Sequence, residues 1–428
     1  MNALWGAYRV LAPVLGSLAP VAGVFTSPAE RVLWRERMGR LARPGGCDAW
    51  VHAASLGEAV AAAPLVRELL KRQPDARLQL TATTRGGRER LLALGQPAAL
   101  APLDTPQSVG RFFHGVRPER LFLIETELWP HWLMHARRDR VPVAVVSARL
   151  SERSVRRYLG LGTGLRTLIQ SLAGVLCQSE EDQQRWLTLG ARPERTTVVG
   201  NLKSDGLPTP AADRALERAR LGLERDRPLL VLGNVRPGEP RPLVRAWLSL
   251  PAVLRARWQV VAVPRHPRAL SQLQAEASAA GRGGGGTGAP RGREVAGTGP
   301  DAAWDWRWDA RLGVLSDWYR AAEVAFVGGS LAPYGGHNPL EPAACGAAVV
   351  MGPHDASQRE AVRALDRAGG IWRVADPAAL SSALEALLGH DELRASRAAA
   401  ALRVATSERG SAARAVLRLG ELSLWPNP

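Results

Sequence analysis

Lysine is almost missing from this chain of 428 residues. Its lysines and arginines number 56, and only Lys71 and Lys203 are lysines. So complete a skew reflects a compositional bias of the genome, and arginine count alone says little about function. Cysteine is nearly as scarce. Cys47, Cys177 and Cys345 lie far apart without metal-ligand spacing. That excludes a disulfide framework and suits reduced, buried thiols in a cytoplasmic compartment. There is no Walker loop, no D-x-D pair after a strand and no spaced histidine cluster, and the nearest thing to a metal site is the pair Glu125 and Glu127. No segment interleaves aromatic and basic residues, which argues against a nucleic-acid binder. An uncharged, mostly apolar run, residues 10–25, is broken by Pro13 and Pro20. It falls short of the roughly 20 residues a spanning helix needs.

What is present begins at that run. Arg31, Arg35, Arg37, Arg40 and Arg43 follow it, while only Arg9 precedes it. An apolar segment with its cations behind it reads as a membrane-surface anchor, here residues 1–46, with its basic flank on the cytoplasmic side. A cleaved signal peptide would carry its charge in front. The net charge of +16 predicts an anionic partner.

From residue 50 onward, apolar strand patterns alternate with helical ones. AWVHAA, RLQLTATT, RLFLIETE, PVAVVSA, GVLCQSE and TTVVGNLKSD mark strands of a first half, residues 47–207. PLLVLGNV, WQVVAVPRHP, AEVAFVGGS and AAVVMGPH mark a second, residues 229–405. Such repetition predicts parallel sheets flanked by helices. The expected class is α/β: two Rossmann-like domains facing a central cleft. Residues 208–228 read as a linker, 281–300 as a Gly-rich surface loop inside the second domain, and 406–428 as a C-terminal helix and tail.

Several strand ends carry chemistry. In SLGE, Ser55 and Glu58 form a capping box for the next helix. Glu58 also sits where open α/β sheets bind ligands, at a strand's carboxyl end, so it reads as a cap, a general base or both. Gly57 keeps the turn free of side chains. Glu125 and Glu127 end another strand, and two carboxylates so close raise each other's pKa unless a cation intervenes. Lys203 is the candidate cation, although an ordinary buried salt bridge explains the same residues.

In the second half, FVGGSLAPYGGHNPLEP places Gly329, Ser330, Gly336, His337, Asn338 and Glu341 around a helix start. Asn338 is the expected N-cap and Pro339 the first helical residue. Paired glycines, free N–H groups and a helix N-terminus suit a nucleotide phosphate. Arg265 and His266, and the loop carrying Arg236, Gly238 and Glu239, are further candidates for an anion.

These motifs, with SARLSERS and QSEEDQQRW, stand in the order seen in 3-deoxy-D-manno-octulosonic acid (Kdo) transferases, which the chain resembles over most of its length. The resemblance implies the two-domain GT-B fold and a metal-independent, inverting transfer of Kdo from CMP-Kdo to a lipid A precursor, an anionic glycolipid, at the cytoplasmic face of the inner membrane. No cofactor, metal or nucleic acid is implied. Glu58 would be the general base, supported by Glu125, Glu127 and Lys203. Ser55, Gly57 and Arg85 would meet the acceptor, and the second-half residues the donor. Two stretches depart from the family pattern. Asn234–Glu239 replaces S-T-H-x-G-E, and DARLGVL puts Val314 where a glutamate is usual. A transferase using another nucleotide sugar, and a non-catalytic binder of anionic glycolipid or nucleotide, are the alternatives.

Overall fold

The computed structural model describes residues 11–13, 17, 27–41, 45–281 and 306–426. The candidate anchor over 10–25 and the Gly-rich stretch over 281–300 lie almost wholly outside the described residues. Among the described residues, no helix is long and apolar enough to cross a membrane. The chain forms two compact units, Met1–Gly206 with Glu408–Pro428, and Leu207–Ser407.

The first unit is built on seven strands: β1 Ala49–His52, β2 Leu78–Ala82, β3 Ala98–Leu100, β4 Leu121–Ile124, β5 Val143–Ala148, β6 Gly174–Cys177 and β7 Thr196–Val198. All pair in parallel, in the order β3-β2-β1-β4-β5-β6-β7. Successive residues face opposite layers. Trp50, Leu121, Leu123 and Val145 enter one core, whereas Val51, Phe122, Ile124 and Val146 enter the other. Burial on both faces explains why these strands read as continuous apolar runs.

The second unit holds β8 Leu229–Val235, β9 Gln259–Pro264, β10 Trp306–Trp308, β11 Val324–Val327, β12 Ala348–Met351 and β13 Ile371–Arg373. Its parallel order is β10-β9-β8-β11-β12-β13. The two sheets share one plan. In each, the first strand is central and the chain reverses direction of travel across the sheet beside it, between β1 and β4 and between β8 and β11. Such a switch point is where open α/β sheets bind ligands.

The stretch read as a linker is structured. It contains the helix Arg214–Arg220, capped by Asp213, and buried Arg218 pairs with Glu323 at 2.6 Å. It therefore belongs to the second unit. The last helix, Ser411–Glu421, packs Ala412, Ala415, Val416 and Leu419 against the first unit's core. Asp205 receives the backbone N–H groups of Gly410, Ser411 and Ala412 at that helix start, which satisfies donors a helix otherwise leaves open. The three cysteines are buried and form no disulfide. Burial pushes the Cys47 and Cys177 thiols up to about 12, so neither is a thiolate near neutrality.

Candidate active site at the strand ends

Glu58 opens the helix Leu56–Arg72, which leaves the carboxyl end of β1. Ser55 is the N-cap, and its hydroxyl accepts the Glu58 N–H at 3.2 Å while donating to Glu58 Oε1 at 3.0 Å. Glu58 Oε2 accepts the Ala54 N–H at 2.9 Å. The reciprocal partner in a capping box is normally the N-cap's own N–H; here it is one residue earlier. Glu58 remains partly exposed, and the two contacts leave lone pairs on both oxygens. Desolvation raises its pKa, the charge of Glu125 adds to that, and the Ala54 and Ser55 hydrogen bonds and Lys203 oppose it. A cap with a raised pKa and open lone pairs can also take a proton. Gly57 is exposed, and a Cβ there would meet nothing nearer than Ser55 Oγ at 3.8 Å. Nothing inside the protein demands a glycine at that position.

Across the switch point, the chain leaves β4 through Glu125, whose φ of 63° lies in the left-handed region, a conformation that non-glycine residues hold only when the surroundings enforce it. Its backbone N–H bonds Val146 O at 3.0 Å, and its carboxylate receives Lys203 Nζ at 2.6 Å. Lys203, on the short 3₁₀ turn Leu202–Gly206 after β7, is thus the cation beside the pair. Among the described residues, Glu127 has no such cation. Its Oε2 accepts the Trp129 indole N–H at 2.8 Å. Burial, then the charges of Glu58 and Glu125, push its pKa up to about 7 against the lowering effect of that indole. The buried His52 at the end of β1 stands 3.9 Å away, Nε2 to Oε2.

Arg85 stands apart from the carboxylates' direct contacts. It pairs with Glu30 of the helix Pro28–Arg37 at 2.9 Å and lines a separate cavity of about 270 Å³ with Leu33, Trp34, Arg37 and Leu100. The same helix is fixed to the unit by Glu36, which binds Arg88 through two contacts and the Leu100 N–H.

The second unit's switch point is basic. Arg236 follows β8, its guanidinium 4.1 Å from the centre of the Tyr334 ring, and its Nε is buried without a partner. Arg265 and His266 follow β9 and are exposed. Desolvation, then the charges of Arg236, Arg265 and Arg268, hold the His266 imidazole below its usual pKa. His337 is pushed down to about 4 by burial and by Arg265, Arg236 and His266, and its Nε2 has no partner. Two arginines that depress the protonation of two imidazoles are gathered here, an arrangement an anion relieves. Glu341 is raised by burial, with Arg265 and Asn338 opposing.

Three donor-site expectations need correction. Glu239 is wholly buried, and its two oxygens accept the N–H groups of Arg236, Gly329, Ser330 and Leu331 at 2.8–2.9 Å. Ser330 is also enclosed: its hydroxyl donates to Val327 O and accepts the Gly352 N–H. Both residues shape the loops that end β8 and β11, and neither has an atom free for a ligand. The Gly238 N–H is taken by Glu276 at 2.7 Å. One boundary moves as well. The helix starts at Leu340 with Pro339 in the N-cap position, and the Asn338 side chain accepts the Leu340 N–H at 3.0 Å. Gly329 and Gly336 have φ of 69° and 74°, and Gly336 N–H bonds Gly329 O at 2.7 Å, locking the two glycine turns together.

A family model described as 3-deoxy-D-manno-octulosonic-acid transferase (kdotransferase) matches residues 33–206. The 3-deoxy-D-manno-octulosonic acid transferase of Bordetella pertussis is 37% identical over 362 residues, covering 81% of each chain. This chain belongs to the Kdo transferase family. The Haemophilus influenzae Kdo transferase is 31% identical over 395 residues, 90% of each chain. The protein is accordingly a glycosyltransferase, and its activity is Kdo transfer. Among solved structures, Anabaena HepE in complex with UDP aligns over 88% of this chain and 99% of its own, with a TM-score of 0.57 at 14% identity. Neisseria meningitidis UDP-GlcNAc 2-epimerase bound to UDP-GlcNAc aligns over 83% and 94%, with a TM-score of 0.56 at 13% identity. At that identity both speak to the fold alone, two Rossmann-like units.

Sequence reasoning missed His52 and Tyr334. His52 is hidden inside an apolar strand, and its partners come from β2 and the loop after β4. Tyr334 lay within a quoted motif, yet only the position of Arg236 shows what its ring is for. At the second departure, Asp309 is buried and binds Arg311 and the Trp318 indole, while Val314 occupies the N-cap position of the helix Leu315–Ala321 without a side-chain cap.

Proposed function

We propose that this Kdo transferase moves Kdo from CMP-Kdo to a lipid A-type glycolipid with inversion and without a catalytic metal, and that Glu58 is the general base. The observation that carries the reading is Glu58 itself: a carboxylate at a switch point, with a raised pKa and spare lone pairs, beside a glycine the fold does not need. In the reaction, an acceptor hydroxyl oxygen attacks the anomeric carbon, its proton passes to Glu58, and the bond to the CMP phosphate breaks. The anomeric carbon carries oxocarbenium character as that bond lengthens. Arg236, Arg265 and His266 would take the phosphate charge that develops, the task a metal ion performs elsewhere. Lys203 balances Glu125, so the base region need not carry three uncompensated negative charges. An apolar segment and a basic flank at the N-terminus suit an acceptor held in the cytoplasmic leaflet of the inner membrane.

The test is a mass-spectrometric assay of the purified full chain with a lipid A precursor and CMP-Kdo generated in situ, with and without EDTA. Product that survives EDTA and is lost in folded Glu58→Gln supports the reading. Loss on chelation, or an active Glu58→Gln, overturns the corresponding part. One observation favours a second donor: the hydroxyls and imidazole usual before Glu239 are absent, and Arg236 stacked on Tyr334 stands in that loop. Absence of Kdo product from a folded protein that binds another nucleotide sugar would select this alternative.

A further inference from the structure

His52 has a chain of contacts that a core histidine does not require. The Trp50 indole, which can only donate, gives its N–H to Thr81 Oγ1 at 2.7 Å. Thr81 Oγ1 lies 2.9 Å from His52 Nδ1. Among the described residues, His52 Nδ1 is the one acceptor within reach of the Thr81 hydroxyl proton. Donation to Nδ1 puts the ring proton on Nε2, whereas a proton on Nδ1 would be donated to Thr81 instead. The Nε2 atom is buried, has no hydrogen-bond partner among the described residues and lies 3.9 Å from Glu127 Oε2. Trp132 stands edge-on to the imidazole, with centroids 4.7 Å apart, and closes it off from solvent. Glu127 Oε2 accepts the Trp129 N–H at 2.8 Å, so the same oxygen faces both the indole and the imidazole.

Building on the general-base reading above, we propose that His52 is a positioning residue whose Nε2–H, set by the Trp50–Thr81 chain, holds Glu127 as a carboxylate beside Glu58. An ionised Glu127 strengthens Glu58 as a base, because the proton Glu58 takes from the acceptor relieves the repulsion between the two. The groups that bear on Glu127 are Glu58 from the helix after β1, Glu125 with its Lys203, His52, Trp129, and Tyr158 of the helix Glu152–Leu159. Tyr158 is itself raised by burial, with Arg157 opposing and Glu127 adding to the rise. Desolvation pushes His52 down to about 3 against the opposing Thr81 backbone hydrogen bond, so the imidazole stays neutral.

The experiment has two arms. In the full-length protein with ¹⁵N-labelled histidine, assigned by the signal missing in His52→Gln, the ring is expected as the Nε2–H tautomer from pH 5 to 8. In kinetics, the acid limb of the kcat/KM profile moves up by about one pH unit in His52→Leu as the carboxylate loses the N–H dipole facing it, and the plateau above it is kept. His52→Gln, whose amide N–H can replace Nε2–H, returns the limb to its original position. A merely structural role would lower the melting temperature and leave the limb where it was. A proton on Nδ1, or an unmoved limb in folded His52→Leu, overturns the proposal. Should His52→Leu not fold, the tautomer in the unmodified protein decides. An active Glu58→Gln would remove the general-base reading without touching the tautomer result, so the two failures are told apart.

Discussion

Ser55-Leu56-Gly57-Glu58 and Arg236-Pro237-Gly238-Glu239 follow the central strands of the two units and end alike in Gly-Glu, but the two glutamates have opposite fates. Glu58 accepts one backbone N–H and one hydroxyl and stays partly exposed. Glu239 accepts four backbone N–H groups and is sealed. The first keeps lone pairs for chemistry. The second uses all its capacity to shape the loop that presents Arg236. The surroundings differ in the same sense: three carboxylates and one lysine gather at the first switch point, while arginines and histidines gather at the second. A strand-end Gly-Glu therefore marks a position, and its role depends on how many donors the fold aims at it.

The sharpest break of the comparison is kinetic. Glu58→Gln keeps the shape and can keep the Ser55 contact, but cannot take a proton. Its turnover is expected to fall about 10²–10⁴-fold, the usual scale of a lost general base, with a melting temperature close to the original. Glu239→Ala should do the reverse. It strands four buried N–H groups, each costing about 1–3 kcal/mol when unsatisfied, so the second unit is expected to lose several kcal/mol in denaturant unfolding. A sealed Glu239 that could be truncated without loss of stability would defeat the distinction.

Arg236 comes next in size. Replacing it with leucine removes one of the two arginines beside His266 and His337 and unstacks Tyr334. Affinity for CMP by calorimetry is expected to drop about tenfold or more, in line with one hydrogen bond to a charged group, with little change in stability. An unchanged affinity would mean that the phosphate is bound elsewhere.

The same comparison shows how far the residues can be read without coordinates. The long strands were legible because burial on both faces demands unbroken Val, Leu and Ile runs. Of the four three-residue edge strands, β7 was legible from its apolar TTVVG run, while β3, β10 and β13 were not, since so short a run carries no period. Glu58, Glu125 and Lys203 were legible as a group because each ends or follows a strand of one sheet. Glu239 and Ser330 were read as ligand-facing because the pattern records position at a strand end and is silent on donors arriving from β11 and its loop. His52 was invisible for the matching reason: its strand looks apolar, and its partners Thr81 and Glu127 are distant in sequence.

The smallest expected effect separates Glu127 from its neighbours by pH alone. Its carboxyl titrates near 4.5 in the unfolded chain and at about 7 in the folded protein. Between those values the folded state binds more protons than the unfolded one, so stability is highest below about 4.5 and falls as pH rises through 7. His52 works in the other direction. Its folded value of about 3 lies below 6.5, so its contribution is present above 6.5 and is lost as pH falls. In the original protein the two slopes oppose each other between pH 4.5 and 6.5. Glu127→Gln removes only the first. Chemical denaturation from pH 4.5 to 8 should then show a variant that gains stability relative to the original protein as pH rises, with the gain complete just above 7. A difference that does not vary with pH would mean that Glu127 titrates as an ordinary surface carboxylate. It would then be no partner for Glu58, and the acidity of the first switch point would reduce to Glu58 and the neutralised Glu125.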